Sequence, residues 1–449
     1  MRGRSPRGQV KHSLKPGGRG WGATPGVRAL PPILAKALAS LRAGTLLTPE
    51  RLKLIPAAFL VGFAAAILAL ALSARGASDF KGRPLGTDFS NIYAAGRYVQ
   101  EGAPTAPFDP ALQERQERKI FGPATPFYGW HYPPFFLLIA APLAALSYLP
   151  ALFVWQAVSF ALYLMAMALL LRSAQGLRMR DWLLAVIAFP AVFVNVTHGH
   201  NGLLTAALMA AALALLDRRR LLAGICFGLL VYKPQFGLMI PLVLAATGRW
   251  RTFVAACATV IALTALVTLL FGPEVWAAFL ASTRFTRTAV LEQGGTGFYK
   301  IQSMFAWVRL WGGSVALAYA AQGAVTLIAG VFLVRLWRSD ARFALKGAAL
   351  CLAAILATPY SLDYDMMVLA PAIALLAMDG LEHGFPPWWK TALTALWLVP
   401  ILTRSFADAT FVPLGVPAML AMFALIVAAA PREALALRTV RMRAGPSEG

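Results

Sequence analysis

Long apolar segments alternate with short polar ones along most of the chain. A helix needs roughly 20 apolar residues to cross a bilayer. Runs of this length, or slightly shorter, cover residues 54–74, 150–171, 182–197, 202–216, 252–271, 314–337, 343–357, 366–378, 388–403 and 411–430. This pattern predicts an all-α polytopic membrane protein.

Residues 132–150 form an apolar segment that is short and contains Pro142. If it crossed the membrane, the basic clusters within residues 172–180 and 218–220 would lie outside, against the rule that such clusters stay cytoplasmic. We therefore expect a re-entrant or interfacial helix at the outer face.

Residues 221–246 lie between two basic clusters that are both expected to be cytoplasmic. Two short helices that meet outward at YKPQ (residues 232–235) satisfy both clusters, and Pro234 supplies the break. The chain then makes about twelve crossings, with both termini in the cytoplasm.

Composition supports a membrane protein, since 59% of the 449 residues are hydrophobic and 13% are charged. The net charge of +22 would suit nucleic-acid binding, but the Lys and Arg residues lie in the N-terminal tail and in short clusters between apolar runs. That distribution is typical of cytoplasmic loops. We expect membrane lipids as neighbours and no nucleic acid, and we interpret the three cysteines, all in apolar runs, as inert thiols.

The chain divides into three parts. Residues 1–50 contain a single acid, Glu50, and are predicted to be a disordered basic cytoplasmic tail. Residues 51–430 form the membrane domain, which includes a long outer loop at 75–131, and residues 431–449 form a second basic cytoplasmic tail.

Polar motifs converge on the predicted outer face. They lie in the loop 75–131, in THGHNG (197–202), in YKPQ (232–235), in residues 295–305 and in TPYSLDYD (358–365). A charge at the centre of a membrane helix costs about 2.5 to 3.5 kcal/mol, so charges at this depth tend to mark functional sites. We therefore predict a functional site on this face.

The motifs resemble those of glycosyltransferase family 87, within the GT-C superfamily. The resemblance covers about residues 54–430 and is carried by the ordered set DF, YAAG, YPP, HGHNG, KPQ and PYSLDYD. It implies a GT-C-type fold and a donor in which a hexose is carried on a polyprenyl phosphate; in the family this hexose is mannose. It implies a glycolipid or glycan as the acceptor. It also implies inversion at the anomeric carbon, an active site on the outer face of the bacterial plasma (inner) membrane, no cofactor, and Asp88 as the catalytic base.

The residues themselves fit this chemistry. Inverting transfer requires a carboxylate that accepts the acceptor's proton and cations that stabilise the departing phosphate. Asp88 fits the first role and Lys233, on the broken helix, fits the second. The residues predicted to bind donor or acceptor are Tyr93, His131, His198, His200, Asn201, Lys233, Gln235, Tyr364 and Asp365.

Each assignment has a structural alternative. Asp88 could cap the helix that follows it, the two histidines of HGHNG could cap a tight turn, and Lys233 could extend to the membrane interface. Asp363 is interpreted as a solvated loop acid, and Tyr299, Lys300 and Gln302 as ordinary loop residues. The first loop has no DxD pair and the chain has no HExxH motif, so a metal-free base is expected.

Two other classes of protein remain open at this point. A transporter or flippase for lipid-linked sugars would also have broken helices, although such proteins usually show repeated halves, and the loop 75–131 has no later counterpart. An inactive assembly subunit would leave the outer polar residues dispensable.

Overall fold

The computed structural model describes residues 31–172 and 179–443. Its α-helices are α1 (Pro32–Ala43), α2 (Pro49–Leu72), α3 (Thr87–Gln100), α4 (Pro110–Phe121), α5 (Leu137–Leu143), α6 (Tyr148–Leu171), α7 (Met179–Ile187), α8 (Pro190–His198), α9 (Gly202–Leu215), α10 (Arg220–Leu229), α11 (Met239–Ala246), α12 (Trp250–Phe271), α13 (Glu274–Phe285), α14 (Met304–Leu310), α15 (Val315–Arg338), α16 (Phe343–Leu356), α17 (Leu369–His383), α18 (Trp389–Thr410) and α19 (Gly415–Arg443). Short 3-10 helices cover Ala106–Phe108, Pro134–Phe136, Leu230–Tyr232, Pro234–Gly237, Phe298–Lys300 and Asp363–Val368, and Thr286–Glu292 is a π-helix. All regular elements in the described ranges are helical, as the sequence predicts.

Within the described residues, five helices are long and apolar enough to cross a membrane. They are Pro49–Leu72, Tyr148–Leu171, Trp250–Phe271, Val315–Arg338 and Asp363–His383. Shorter apolar helices cover Pro134–Leu143, Gly202–Leu215, Arg220–Tyr232, Pro234–Ala246, Phe343–Leu356 and Gly415–Ala430. The all-α membrane class is confirmed, and the count of about twelve crossings stays a prediction.

The break expected at YKPQ is present. α10 is followed by one 3-10 turn, Lys233 leaves the helix with φ −125° and ψ 74°, and Pro234 begins the next turn before α11. Proline cannot donate a backbone hydrogen bond to the preceding turn, so the helical ladder stops there.

A second break was not predicted. The apolar run 182–197 is divided between α7 and α8, with Pro190 as the first residue of α8.

The run between Tyr132 and Pro150 contains the short helix α5 and ends where α6 begins. The depth of this run in the membrane stays a prediction.

Both ends of the chain are more helical than expected. Residues 32–43 form α1, whereas the sequence predicts a mobile tail over 1–50; residues 1–30 lie outside the described part. The last turn of α1 is held on the start of α18, because the Arg42 carbonyl accepts from Trp388 N at 2.8 Å and the Leu41 carbonyl accepts from Thr391 Oγ1 at 2.5 Å. α19 continues to Arg443, past the predicted boundary at 430, and residues 444–449 lie outside the described part.

The core is a helical bundle around α9 and α16. α16 is buried along most of its length, and α9 packs on α6 and α10. A second core joins α3 of the predicted outer loop, and α5 after that loop, to α6. Gly96 permits this contact, since a Cβ there would lie 2.1 Å from the Ala140 carbonyl oxygen. The loop 75–131 is therefore packed against the bundle.

Ion pairs between separate segments fall into two sets that match the two predicted sides of the membrane. The set on the predicted outer side joins Lys233 to Asp365 and Arg404 to Asp363. The set on the predicted inner side joins Arg249 to Asp217 and Arg342 to Asp379. Each pair joins residues that the sequence partition places on the same side.

We expect single cysteines in a cysteine-free background to report these sides. Cysteines at the exposed positions Lys81 and Lys119 should react with an impermeant thiol reagent on intact cells, whereas those at Arg219 and Glu382 should react only after permeabilisation. Gel-shift labelling measures the difference. Labelling of Arg219→Cys on intact cells would contradict the orientation.

Candidate active site

Two loops of the predicted outer face pair to form one wall of the site. Gln302 N donates to the Ser361 carbonyl at 2.6 Å, and Ser303 Oγ donates to the Pro359 carbonyl at 2.7 Å. Ile301 and Leu362 form an antiparallel bridge between the same segments. These contacts place Lys300 beside the 3-10 helix Asp363–Val368.

Asp88 lies in the first turn of α3 and does not cap the helix. The N-cap is Gly86, whose φ of 65° suits glycine, and no side chain caps the helix. A side chain at residue 86 would also collide with Leu152, since its Cβ would lie 2.8 Å from a Leu152 methyl group. The structure therefore contradicts the capping alternative for Asp88.

The Asp88 carboxylate is half-buried and has no hydrogen bond or ion pair with a residue in the described part of the chain. Burial raises its pKa to about 7, with opposing effects from Arg404, which favours the ionised form, and Asp363, which disfavours it. Lys300 and Lys233 also favour ionisation. Asp88 thus lies in a group of charges contributed by four distant segments.

The HGHNG turn adjoins Asp88 through its first histidine. His198 Nδ1 and Thr87 Oγ1 share a hydrogen bond of 2.7 Å, so the residue before Asp88 is fixed to the end of α8. Trp155 supports the turn, because its Nε1 donates to the Gly199 carbonyl at 2.9 Å.

His200 faces an aromatic group on the other side of this turn. Its ring stacks on Tyr364 at 3.5 Å between centroids, and its Nε2 shares a 3.2 Å hydrogen bond with Tyr132 Oη. The buried His200 Nδ1 and both side-chain polar atoms of Asn201 have no hydrogen-bond partner among the described residues. These are hydrogen-bonding groups that a sugar could use.

Lys233 and Asp365 form a buried ion pair. Their side chains are 4% and 3% exposed, and the second carboxylate oxygen of Asp365 accepts from Leu362 N at 3.0 Å. Lys233 Nζ also lies 5.8 Å from the centre of the Tyr364 ring. The ammonium group points into the protein, so the structure contradicts the alternative in which Lys233 extends to the interface.

Asp363 is not the solvated loop acid that the sequence predicts. Its side chain is 5% exposed, and its Oδ1 accepts from Arg404 Nη2 at 2.8 Å. Arg404 was missed because it follows the predicted run 388–403, where a charge is typical of a helix end. α18 continues to Thr410, so Arg404 lies inside a long helix. A charge at such a position was the signal that could have marked Arg404 as a site residue.

Three of the predicted binding residues are not joined to this cluster by a recorded hydrogen bond or ion pair within the described residues. Tyr93 is buried and donates to the Leu146 carbonyl at 2.8 Å, and it packs α3 on the start of α6. His131 Nδ1 shares a 2.9 Å hydrogen bond with Thr286 Oγ1, and burial lowers its pKa to about 4. Gln235 is half-exposed at the helix break.

Gln302 has a structural role. Its Oε1 accepts from Thr403 Oγ1 at 2.5 Å and from Gly415 N at 3.2 Å, which ties the paired loops to α18 and α19. Sequence position alone suggested an ordinary loop residue.

Glu117 is a buried acid that the sequence did not single out. Its Oε2 accepts from Tyr128 N at 2.9 Å, and burial raises its pKa to about 8. This contact fixes the loop that leads to His131 and Tyr132. The surrounding sequence QERQERK is typical of an exposed helix and gives no signal of burial.

Among the described residues, there is no group of three or more His, Cys, Asp or Glu side chains placed to hold a metal ion.

Comparison with known proteins gives one match. The model of glycosyltransferase family 87 matches residues 130–359, slightly more than half of the chain. The matched region contains the HGHNG turn and Lys233, and it excludes Asp88, Asp365 and Arg404. The comparisons with curated proteins and with solved structures gave no match.

We expect Lys233→Met to lower the thermal stability of the purified protein, because it leaves Asp365 buried without its partner. Breaking a buried pair costs about 3 to 5 kcal/mol, whereas replacing both members by apolar residues is often neutral. Lys233→Met/Asp365→Leu should therefore recover most of the loss in a thermal unfolding assay.

Arg249→Met provides the matched control, since its partner Asp217 is 59% exposed. Loss of that pair should cost no more than about 1 kcal/mol. Equal unfolding temperatures for Lys233→Met and Arg249→Met would contradict a stabilising role for the buried pair.

Proposed function

We propose a donor, a catalytic base and a reaction course for this chain, which belongs to glycosyltransferase family 87 and is therefore a membrane glycosyltransferase. The proposed donor is a hexose, mannose by resemblance, carried on a polyprenyl phosphate, and the acceptor is a hydroxyl group of a glycolipid or glycan. The observation that carries the proposal is the half-buried, unpaired Asp88 carboxylate among Arg404, Lys300 and the HGHNG turn.

In the proposed reaction, the acceptor oxygen attacks the anomeric carbon while Asp88 accepts the hydroxyl proton. The bond between the anomeric carbon and the phosphate oxygen breaks, the electron pair leaves with the polyprenyl phosphate, and the anomeric configuration inverts. A general base works best when its pKa lies near the operating pH. The pKa of about 7 supports Asp88 in this role.

Sugar recognition is assigned to the polar atoms of the HGHNG turn and to the aromatic group beside it. His200 Nδ1 and the Asn201 amide are buried and available, and the stacked Tyr364 ring contributes an apolar face. Lys233 and Asp365 are assigned a structural role beside Tyr364 and His200, because their charged atoms are paired with each other.

We place this chemistry at the outer face of a bacterial plasma membrane, with both termini cytoplasmic. The support is the cytoplasmic preference of basic clusters and the division of the ion pairs into two sets. A polyprenyl tail lies in the hydrocarbon while its phosphate lies at the interface, where the loop 75–131 meets the bundle.

Asp88→Asn should reduce transfer by a factor of about 10² to 10⁴, the usual contribution of a general base. Asn keeps the size of the side chain but cannot accept the proton. The assay is transfer of radiolabelled hexose from polyprenyl phosphate to membrane acceptors in proteoliposomes.

Glu114→Gln, a carboxylate-to-amide change on the surface of the same outer loop, should keep full activity. Near wild-type transfer by folded Asp88→Asn would remove Asp88 from the mechanism.

The pH dependence of transfer provides a separate test. The ionised, active form of Asp88 increases as pH rises through about 7, so kcat/KM should rise about tenfold per pH unit below that value and level off above it. The raised pKa also means that the folded state holds a proton that the unfolded state has lost. The free energy of unfolding should therefore decrease as the pH rises from 3.8, the ordinary pKa of Asp, to about 7. A kcat/KM that is constant from pH 5.5 to 7 would contradict this account.

A further inference from the structure

We propose that Arg404 and Lys300 together bind the donor phosphate. This inference rests on the proposed function, since it assigns the anion-binding residues of the same site. The sequence favours Lys233 for that role, and the structure gives a physical reason to look elsewhere.

Lys233 is poorly placed to bind a phosphate. Its ammonium group is paired with Asp365 and its side chain is 4% exposed. Removing one partner from a buried pair leaves the other charge uncompensated, which costs several kcal/mol. A donor phosphate that recruited Lys233 would have to meet that cost, so a cation with accessible donors is favoured.

Arg404 has unused hydrogen-bond donors. Its Nη2 donates to Asp363, and its buried Nε has no partner among the described residues. The side chain is 29% exposed, so solvent reaches part of the guanidinium group. A guanidinium carries five donors in a planar fork, which suits the simultaneous binding of a carboxylate and a phosphate.

Lys300 is the second accessible cation. It is half-buried and forms no ion pair with an acid in the described ranges. Its backbone is held in place because the next two residues pair with the Ser361–Leu362 segment. A compact ammonium on a backbone held in this way is well suited to bind an anion.

One hydrogen bond ties the two cations into a single unit. Gln302, two residues after Lys300, accepts from Thr403, which directly precedes Arg404. Asp363, the partner of Arg404, begins the 3-10 helix that adjoins the paired loops. The positions of Lys300 and Arg404 therefore depend on the same contacts.

Both cations influence the proposed base and the first histidine of the HGHNG turn. Their charges influence Asp88 and also His198. A phosphate held by Arg404 and Lys300 would therefore lie within electrostatic range of the base, with the sugar between them. In the transfer step these cations would stabilise the charge that develops on the departing phosphate oxygen.

The test is binding of a radiolabelled polyprenyl monophosphate to the purified protein in nanodiscs, with inorganic phosphate and the uncharged polyprenol as competitors. Loss of a charge-assisted hydrogen bond should weaken binding of the phosphate by about tenfold or more in Arg404→Gln and in Lys300→Met. Competition by polyprenol should be unchanged in both variants. Displacement of the label by inorganic phosphate would support the assignment, because it shows that the site binds the anion itself.

Two further variants serve as controls, one for an unpaired buried charge and one for the loss of a surface lysine. Arg404→Gln/Asp363→Asn removes the buried carboxylate that Arg404→Gln would leave unpaired, and it should bind as weakly as the single variant. Lys81→Met, an exposed lysine of the outer loop, is the matched control for Lys300→Met and should bind like the wild type.

Equal affinity of the wild type and the folded Arg404→Gln/Asp363→Asn and Lys300→Met variants would overturn the assignment of this pair while leaving the donor class intact. Failure of the wild type to bind any polyprenyl phosphate would instead overturn the proposed donor itself.

Discussion

The site depends on the compensation of buried charge, and the ion pair between Lys233 and Asp365 is its central case. Lys233 lies in the break between α10 and α11, and Asp365 lies in the 3-10 helix before α17. Neither charge could remain buried alone, so the broken helix and the late loop must meet. Their meeting also places Tyr364 against His200, which brings the HGHNG turn to the same point.

The same principle explains why Asp88 differs from its neighbours. Asp365 and Asp363 each have a cation in direct contact, and their charges are balanced within the fold. Asp88 is enclosed by the same segments but has only more distant cations, so burial outweighs attraction and its pKa rises. A carboxylate in that state can take up a proton near neutral pH, which a tightly paired carboxylate cannot do. The paired acids build the site, and the unpaired one is available for chemistry.

The sequence predicted features that depend on local chemistry. Apolar runs located most helices, and Pro234 located the break, because both signals come from neighbouring residues. Arg404 and the docking of α1 were missed because each depends on a partner far away in the chain. Glu117 was missed because the charged sequence around it is typical of an exposed helix. Asp363 was misassigned for the same reason, since its partner Arg404 lies 41 residues later. Asp88 could be singled out through the motif order, although its lack of a capping bond is visible only in the structure.

The most direct test of the account is a cryo-EM structure of the inactive Asp88→Asn variant with a polyprenyl-phosphate hexose bound. We expect the phosphate in contact with Arg404 and Lys300, the sugar between the phosphate and the HGHNG turn, and the anomeric carbon facing residue 88. The Lys233–Asp365 pair should remain intact in that complex. A phosphate bound by Lys233 in place of Asp365, or a sugar remote from residue 88, would contradict the account.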